Sequence, residues 1–141
     1  MNNRPTSYYR MPLIMGPIWE GENMRIQYPQ SEFVALQYLT QPEAILYLLP
    51  EFYTVGKDPQ VTVVFGYHNR LAFMAGGSYS LAAMQVSARF DGDSDHVEGD
   101  YNLVMFEDRT WPIIGGREDL GVPKLYADIS PNANPQPDIK D

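Results

Sequence analysis

The pattern of apolar residues predicts a chain built mainly of short strands. Residues 61–67 read Val-Thr-Val-Val-Phe-Gly-Tyr, a β-branched and aromatic run that favours a strand. Further strands are predicted over residues 24–28, 71–75, 79–90, 101–106 and 124–129. The acidic stretch that begins at 91–95 separates the strands 79–90 and 101–106 and predicts a hairpin with a long acidic loop. Because the connections between successive strands are short and polar, antiparallel order is expected.

One short helix is predicted after residue 40. Thr40 and Glu43 have the spacing of a capping box, and Pro42 is tolerated in the first helical turn. The apolar run 44–49 follows, and Pro50 cannot continue the helix. The pattern therefore predicts a mainly β (α+β) domain with peripheral helices, whose antiparallel strands form a barrel or cone. We expect the domain to span residues 1–129, followed by a polar tail or linker with three prolines at 130–141.

Composition and charge exclude several function classes. A length of 141 residues suits one domain, and the lack of cysteine excludes disulfides and thiolate metal sites. With 10 basic against 18 acidic residues the net charge is −8, and there is no basic run of the kind that tracks nucleic-acid phosphates. No apolar stretch approaches the roughly 20 residues of a membrane span. The N-terminus lacks the apolar core of a secretion signal, so a cytoplasmic protein is expected.

The sequence does not predict a metal site. An EF-hand calcium loop starting at Asp91 would need glycine at its sixth position and glutamate at its twelfth, where this chain has His96 and Asn102. The other histidine, His68, has no second ligand at metal spacing. The run 68–70, His-Asn-Arg, is interpreted as a turn.

A glycine-flanked segment near the C-terminus carries the candidate chemistry. Residues 115–129 read Gly-Gly-Arg-Glu-Asp-Leu-Gly-Val-Pro-Lys-Leu-Tyr-Ala-Asp-Ile, so that Pro123 fixes the backbone directly before Lys124. A lysine enclosed by apolar groups has its pKa lowered, and its neutral amine condenses with carbonyls. A surface lysine laid over an apolar rim would show the same pattern. The pattern alone leaves both interpretations open.

The same segment resembles the signature of a known enzyme superfamily. Gly116-Arg117-Glu118-x-x-Gly121-x-Pro123-Lys124 is similar to the motif of the acetoacetate decarboxylase-like superfamily. The run Gly-Asp-Tyr at 99–101 resembles the start of the family strand that precedes this motif, and 48–50 resembles the end of a helix near the family's N-terminus. The resemblance covers roughly residues 10–130 and is strongest at 115–129.

The resemblance implies a fold, a reaction type and roles for named residues. It implies a β-cone surrounded by helices, an oligomer, no cofactor, and Lys124 as the residue that forms a Schiff base with a keto acid. Arg25 is similar to the family's pocket arginine and would hold the substrate carboxylate through two parallel donors. Tyr79 or Glu118 would move protons, although Glu118 would alternatively pair with Arg117 or Arg25.

Three departures from the family pattern refine this expectation. Leu125 stands where true acetoacetate decarboxylases carry a second lysine, and Leu81 stands where they carry a pocket glutamate. Both leucines would line the substrate pocket. These two departures resemble the branch of the superfamily that keeps the lysine but performs aldolase or dehydratase chemistry on oxo acids such as pyruvate. Family chains are also much longer, so another chain or a further segment would complete the cone.

Three functions are therefore weighed. The first is a Schiff-base-forming lyase that acts on a small oxo acid by decarboxylation, or by aldol or dehydration chemistry, as a homo-oligomer or with a second chain. The second is a non-catalytic small-acid-binding or scaffolding module, or a partner subunit. The third is a plain small β-barrel that binds an apolar ligand, with an accidental motif.

Overall fold

The computed structural model of the protein describes residues 7–9, 17–20 and 26–129. Within these ranges the elements are β1 (Ser7–Tyr9), β2 (Pro17–Glu20), β3 (Gln30–Leu39), α1 (Pro42–Leu46), β4 (Tyr53–Val55), β5 (Gln60–Leu71), a 3₁₀ helix (Ala72–Met74), β6 (Gly77–Asp91), β7 (His96–Glu107), α2 (Thr110–Leu120) and β8 (Lys124–Tyr126). The mainly β fold with peripheral helices is confirmed. The tail predicted at 130–141 lies outside the described residues.

One mixed sheet organises the described residues. Its six strands follow the order β3-β5-β6-β7-β8, with β4 paired to β6, while β1 and β2 form a separate antiparallel pair. The antiparallel order that the sequence predicts holds for every pair of this sheet except β7–β8, which is parallel. The correction has a physical reason, because α2 connects β7 to β8 and provides the crossover that parallel pairing requires.

The β-branched runs of the central strands predict their positions well. The strands predicted over 61–67, 79–90 and 101–106 lie within β5, β6 and β7, and β6 and β7 form the expected hairpin. Its loop is shorter than predicted, because β6 continues to Asp91 and β7 already begins at His96. The last strand ends at Tyr126, three residues before the predicted boundary. Strand existence is therefore well encoded in these segments, whereas strand ends are not.

The connection between β5 and β6 differs from the prediction. Residues 71–75 were expected to form a strand, but Ala72–Met74 is a 3₁₀ helix, and Ala75 has a left-handed φ of 53°. A short apolar run does not by itself distinguish a strand from a helical turn. The turn predicted at 68–70 is also wrong at its start, because His68 belongs to β5; Arg70, with a φ of 58°, lies at a register shift in that strand.

The first strand of the sheet was placed too early by the sequence pattern. Residues 26–28 are not in a strand, residues 24 and 25 lie outside the described residues, and β3 runs from Gln30 to Leu39 instead. Every position of β3 is exposed, as is expected of an edge strand with one neighbour. An exposed edge strand lacks the alternation of buried and polar residues that would mark it in the sequence.

Helix α1 was predicted, although with other bounds, whereas helix α2 was not. Helix α1 begins at the predicted Pro42 but ends at Leu46, and Gln41 precedes it without a side-chain cap, so Thr40 forms no capping box. Helix α2 was not predicted, because its two glycines, Gly115 and Gly116, lower the helix propensity of the segment. It ends at Gly121, whose φ of 66° suits glycine.

The buried apolar residues form one cluster on each face of the sheet. The first cluster packs α1 against the strands and contains Ile45, Leu49, Val61, Val86 and Ala88. The second contains Leu71, Tyr79 and Leu81. Since side chains alternate along β6, Tyr79 and Leu81 face the side opposite to Val86. Within the described ranges, neither helix is long and apolar enough to cross a bilayer.

Candidate active site

Lys124 is buried at the junction of β7, α2 and β8. It begins β8, pairs with Met105 of β7, and is only 9% exposed. Its Nζ donates a hydrogen bond to Glu107 Oε1 at 2.6 Å and another to the carbonyl oxygen of Pro112 at 3.2 Å. The amine is thus held between the end of a strand and the first turn of a helix, which answers the question the sequence left open: this lysine does not extend into solvent.

Gly116 allows α2 to cover the lysine. A Cβ atom at position 116 would lie 2.5 Å from Lys124 Cδ and 2.6 Å from Lys124 Nζ, which is closer than real contacts allow. The neighbouring Arg117 donates from Nη1 to the Lys124 carbonyl oxygen at 3.0 Å. The Gly-Arg and Pro-Lys parts of the sequence motif therefore meet in space, and the glycine makes room for the amine.

Glu107 is the acidic partner of Lys124, and sequence reasoning missed it. It is the last residue of β7 and is fully buried at 0% exposure. Burial raises the pKa of Glu107, and the hydrogen bond and charge of Lys124 act in the opposite direction. Its second oxygen, Oε2, has no hydrogen-bond partner among the described residues. The available signal was an acid directly after the apolar run 101–106.

Leu81 lies beside Glu107 in the sheet. It pairs with Gly66 of β5 on one side and with Glu107 of β7 on the other, and paired residues of antiparallel strands share a face. The ring of Phe33 covers Gly66, where an added Cβ would come within 2.7 Å of the ring. A row of apolar groups therefore extends from the buried carboxylate across the sheet.

Tyr79 and His68 extend the same face. Tyr79 is 4% exposed, and its ring centroid lies 4.8 Å from that of His68. Burial, followed by a hydrogen bond with Tyr28, raises the pKa of Tyr79, so its phenol keeps its proton. Burial and then the charge of Lys124 lower the pKa of His68, whose Nδ1 lies 2.7 Å from Ser31 Oγ. A neutral phenol and a neutral imidazole thus lie on the same face of the sheet as the lysine.

The remaining residues singled out from the sequence do not contact the amine within the described part of the chain. Glu118 is exposed on α2, and its carboxylate is not among the groups bonded to Lys124 Nζ. Leu125 is 51% exposed, because adjacent residues of a strand face opposite sides. Arg25 lies outside the described residues. Within the described ranges, no cluster of three His, Cys, Asp or Glu could hold a metal ion.

This arrangement can perform proton transfer next to a nucleophile. A buried amine, a carboxyl group with a raised pKa and a neutral phenol lie on one face of the sheet, shielded by α2 and by apolar side chains. Exclusion of water strengthens electrostatic interactions among such groups. The geometry therefore suits covalent chemistry on a carbonyl compound.

Most of the chain matches one family of known proteins. Residues 10–136 match the family model described as acetoacetate decarboxylase (ADC). Acetoacetate decarboxylase 1 of Bradyrhizobium diazoefficiens is 35% identical over 120 residues, which cover 84% of this chain and 44% of that protein. Acetoacetate decarboxylase of Burkholderia vietnamiensis is 31% identical over 109 residues, which cover 77% of this chain and 41% of that protein. The chain thus spans less than half the length of these curated relatives.

Solved structures share the fold. The acetoacetate decarboxylase of Legionella pneumophila superposes with a TM-score of 0.58 at 26% identity, covering 84% of this chain and 44% of that one. The enduracididine biosynthesis enzyme MppR, complexed with pyruvate, gives a TM-score of 0.64 at 19% identity, covering 86% and 49%. At that identity the likeness to MppR concerns the fold alone.

Proposed function

The chain belongs to the acetoacetate decarboxylase family, and from this premise we propose that it is a Schiff-base-forming lyase that acts on a small oxo acid through Lys124. The observation that carries the proposal is the buried Lys124 amine, bonded to Glu107 at 2.6 Å beneath a glycine of the family-like motif. A lysine that only lay along the protein surface would not require a glycine in the helix that covers it.

The first step of the reaction prepares the amine. Lys124 Nζ passes a proton to Glu107 Oε1, and the raised pKa of Glu107 reduces the cost of that transfer. The neutral amine attacks the carbonyl carbon of the oxo acid. Loss of water, together with return of the proton from Glu107, gives a protonated imine and leaves Glu107 as a carboxylate. The imine withdraws electrons from the adjacent carbon. This intermediate serves decarboxylation of a β-keto acid, and it serves aldol addition or dehydration equally well.

Two side chains on the Lys124 face of the sheet would contact the substrate. Leu81 presents an apolar side chain where the family decarboxylases carry a glutamate, and Tyr79 offers a phenol that can donate a hydrogen bond. Position 125 is a leucine that faces away from the amine, so no second lysine assists Lys124 there. The activation of Lys124 therefore depends on burial and on Glu107. We assign the substrate carboxylate to Arg25, whose guanidinium offers two parallel donors.

Borohydride trapping tests the proposal. We expect sodium borohydride, added with pyruvate or acetoacetate, to reduce an imine to a stable adduct on Lys124, identified by peptide mass spectrometry. Pyruvate is the first probe because MppR, which shares the fold, is named in complex with it. The exposed Lys57 is the internal control and should remain unmodified. A protein whose Lys124 peptide carries no adduct with either acid would contradict the assignment.

We also propose that the working unit is larger than one copy of this chain, as a homo-oligomer or with a second chain that completes the cone. The chain spans 41–44% of the first relatives, and one face of the sheet leaves Val34, Leu36, Tyr38, Phe65 and Met84 largely uncovered. An apolar patch of this kind marks an interaction surface. Native mass spectrometry should show a species above the 16.0 kDa of one chain; a strict monomer would contradict this proposal.

The same exposed apolar face of the sheet supports a second candidate function. The chain would then be a partner subunit, or a module that holds a small acid without converting it. Turnover of an oxo acid by this chain alone, abolished by Lys124→Met, would exclude this candidate.

A further inference from the structure

Lys124 is hydrogen-bonded to one of the two carboxylate oxygens of Glu107. Oε1 accepts the bond from Lys124, whereas Oε2 is buried and has no hydrogen-bond partner among the described residues. A buried polar atom without a partner costs about 1–3 kcal/mol. Such atoms are rare in native proteins, and a catalytic role is one of the explanations for them. The free oxygen is therefore a candidate for contact with substrate.

The other carboxylates near this corner of the sheet are occupied or exposed. Asp108, the next residue, accepts a hydrogen bond from the Ser80 backbone at 2.9 Å and lies 3.7 Å from Arg109. Glu118 is exposed on α2. Gly66 and Leu81, which share a row with Glu107, carry no acid. Within the described ranges, Glu107 is the one carboxylate bonded to the Lys124 amine.

We propose that Glu107 is the catalytic base that removes and returns a proton at C3 of the imine formed on Lys124, so that the substrate class is 2-oxo acids with hydrogen on C3. This inference rests on the proposed function. In the imine, C3 lies two bonds from the nitrogen. With Oε1 bonded to that nitrogen, as it is to Nζ here at 2.6 Å, Oε2 belongs to the same carboxylate and lies within reach of a C3 hydrogen.

The step balances without a further reactant. Oε2 takes the C3 proton, the C3–H electron pair forms a C2=C3 double bond, and the C2=N π electrons return to nitrogen. The products are a neutral enamine and a protonated Glu107. The enamine then attacks an electrophile through C3, or takes the proton back. In D₂O the acid proton exchanges with solvent, so reversal places deuterium on C3.

Deuterium exchange separates this role from a purely structural one. We expect the protein to catalyse exchange of the C3 hydrogens of pyruvate in D₂O, followed by NMR. Glu107→Gln keeps an acceptor for Lys124 but cannot hold the proton, so the exchange rate should fall by about 10²–10⁴-fold more than the rate at which the borohydride adduct on Lys124 forms. The matched control Glu51→Gln, at an exposed glutamate between α1 and β4, should exchange at the parent rate. Glu107→Asp keeps a carboxylate set back by one methylene and should retain measurable exchange.

The outcomes are distinguishable. Adduct formation in the parent and in Glu107→Gln, with exchange rates within about threefold of each other, would overturn the role of Glu107 and leave the proposed function standing. Absence of an adduct in the parent would overturn both. If Glu107→Gln does not fold, Glu107→Asp decides, because exchange at the parent rate from a displaced carboxylate would contradict a base positioned at C3. Exchange that is slowed much further than adduct formation supports the proposal.

Discussion

Lys124→Met is expected to lower the free energy of unfolding by about 3–5 kcal/mol near pH 8. The substitution leaves Glu107, which is 0% exposed, without the positive charge at 2.6 Å that compensates its burial. The buried carboxylate can avoid the charge only by taking a proton, which costs about 1.4 kcal/mol for each pH unit above its ordinary pKa. Both routes make the folded state less favourable, and the imine can no longer form.

The loss should depend on pH with a definite sign. In the unfolded chain Glu107 titrates near its ordinary pKa of 4.5, whereas burial raises the pKa of Glu107 in the folded protein, and the variant lacks the lysine that opposes this effect. Between the two pKa values the folded state holds a proton that the unfolded state has released. Rising pH therefore favours unfolding. The deficit relative to the parent should be small below about pH 4.5 and grow as the pH rises through the folded pKa.

Urea unfolding at pH 5 and pH 8 measures this difference, with two comparisons to interpret it. The double variant Lys124→Met, Glu107→Leu should recover most of the loss, because replacing a whole buried ion pair with apolar groups is often neutral or stabilising. Lys57→Met, at an exposed lysine, should stay within about 0.5 kcal/mol of the parent. A deficit that is equal at both pH values and unrelieved in the double variant would show that Glu107 is not an unpaired charge.

The central strands and the lysine could be predicted because their signals are local. The run 61–67 is β-branched and aromatic over its whole length, and Pro123-Lys124 is a short motif whose chemistry follows from its residue types. Neither signal depends on which strands become neighbours. The mainly β fold and the choice of Lys124 as a candidate therefore follow from the sequence before any contact is known, whereas the pattern alone left the burial of Lys124 open.

Glu107 could not be predicted because its role depends on a long-range pairing. It contacts Lys124 only because β8 pairs in parallel with β7. That pairing depends on the crossover helix α2, which was not predicted because its glycines lower the helix propensity of the segment. The prediction that Leu125 lines the pocket failed for a different reason, because the sequence already contained the information that argues against it. Adjacent strand residues face opposite sides, so Leu125 and Lys124 could not both face one pocket.

Gly116→Ala is expected to reduce imine formation by about 100-fold or more while the fold is largely retained. An alanine Cβ would stand 2.6 Å from the present position of Lys124 Nζ, so the amine must leave its place beside Glu107. A displacement of about 1 Å in a reacting group can cost two orders of magnitude in rate. The far end of a lysine moves easily, and alanine regains about 1 kcal/mol over glycine inside a helix. The loss of stability should therefore be smaller than that of Lys124→Met.

Gly99→Ala is the matched control for this change. Gly99 lies in β7, and a Cβ there would meet nothing within 4 Å, so the same one-carbon addition leaves the site untouched. Trapping of Lys124 with borohydride and pyruvate, measured at several times for both variants after circular dichroism has verified their folding, gives the comparison. Equal trapping rates would mean that α2 yields to the added methyl group, and that Gly116 does not position the amine. If trapping is slow in Gly116→Ala and not in Gly99→Ala, catalysis rather than folding requires that position 116 has no side chain.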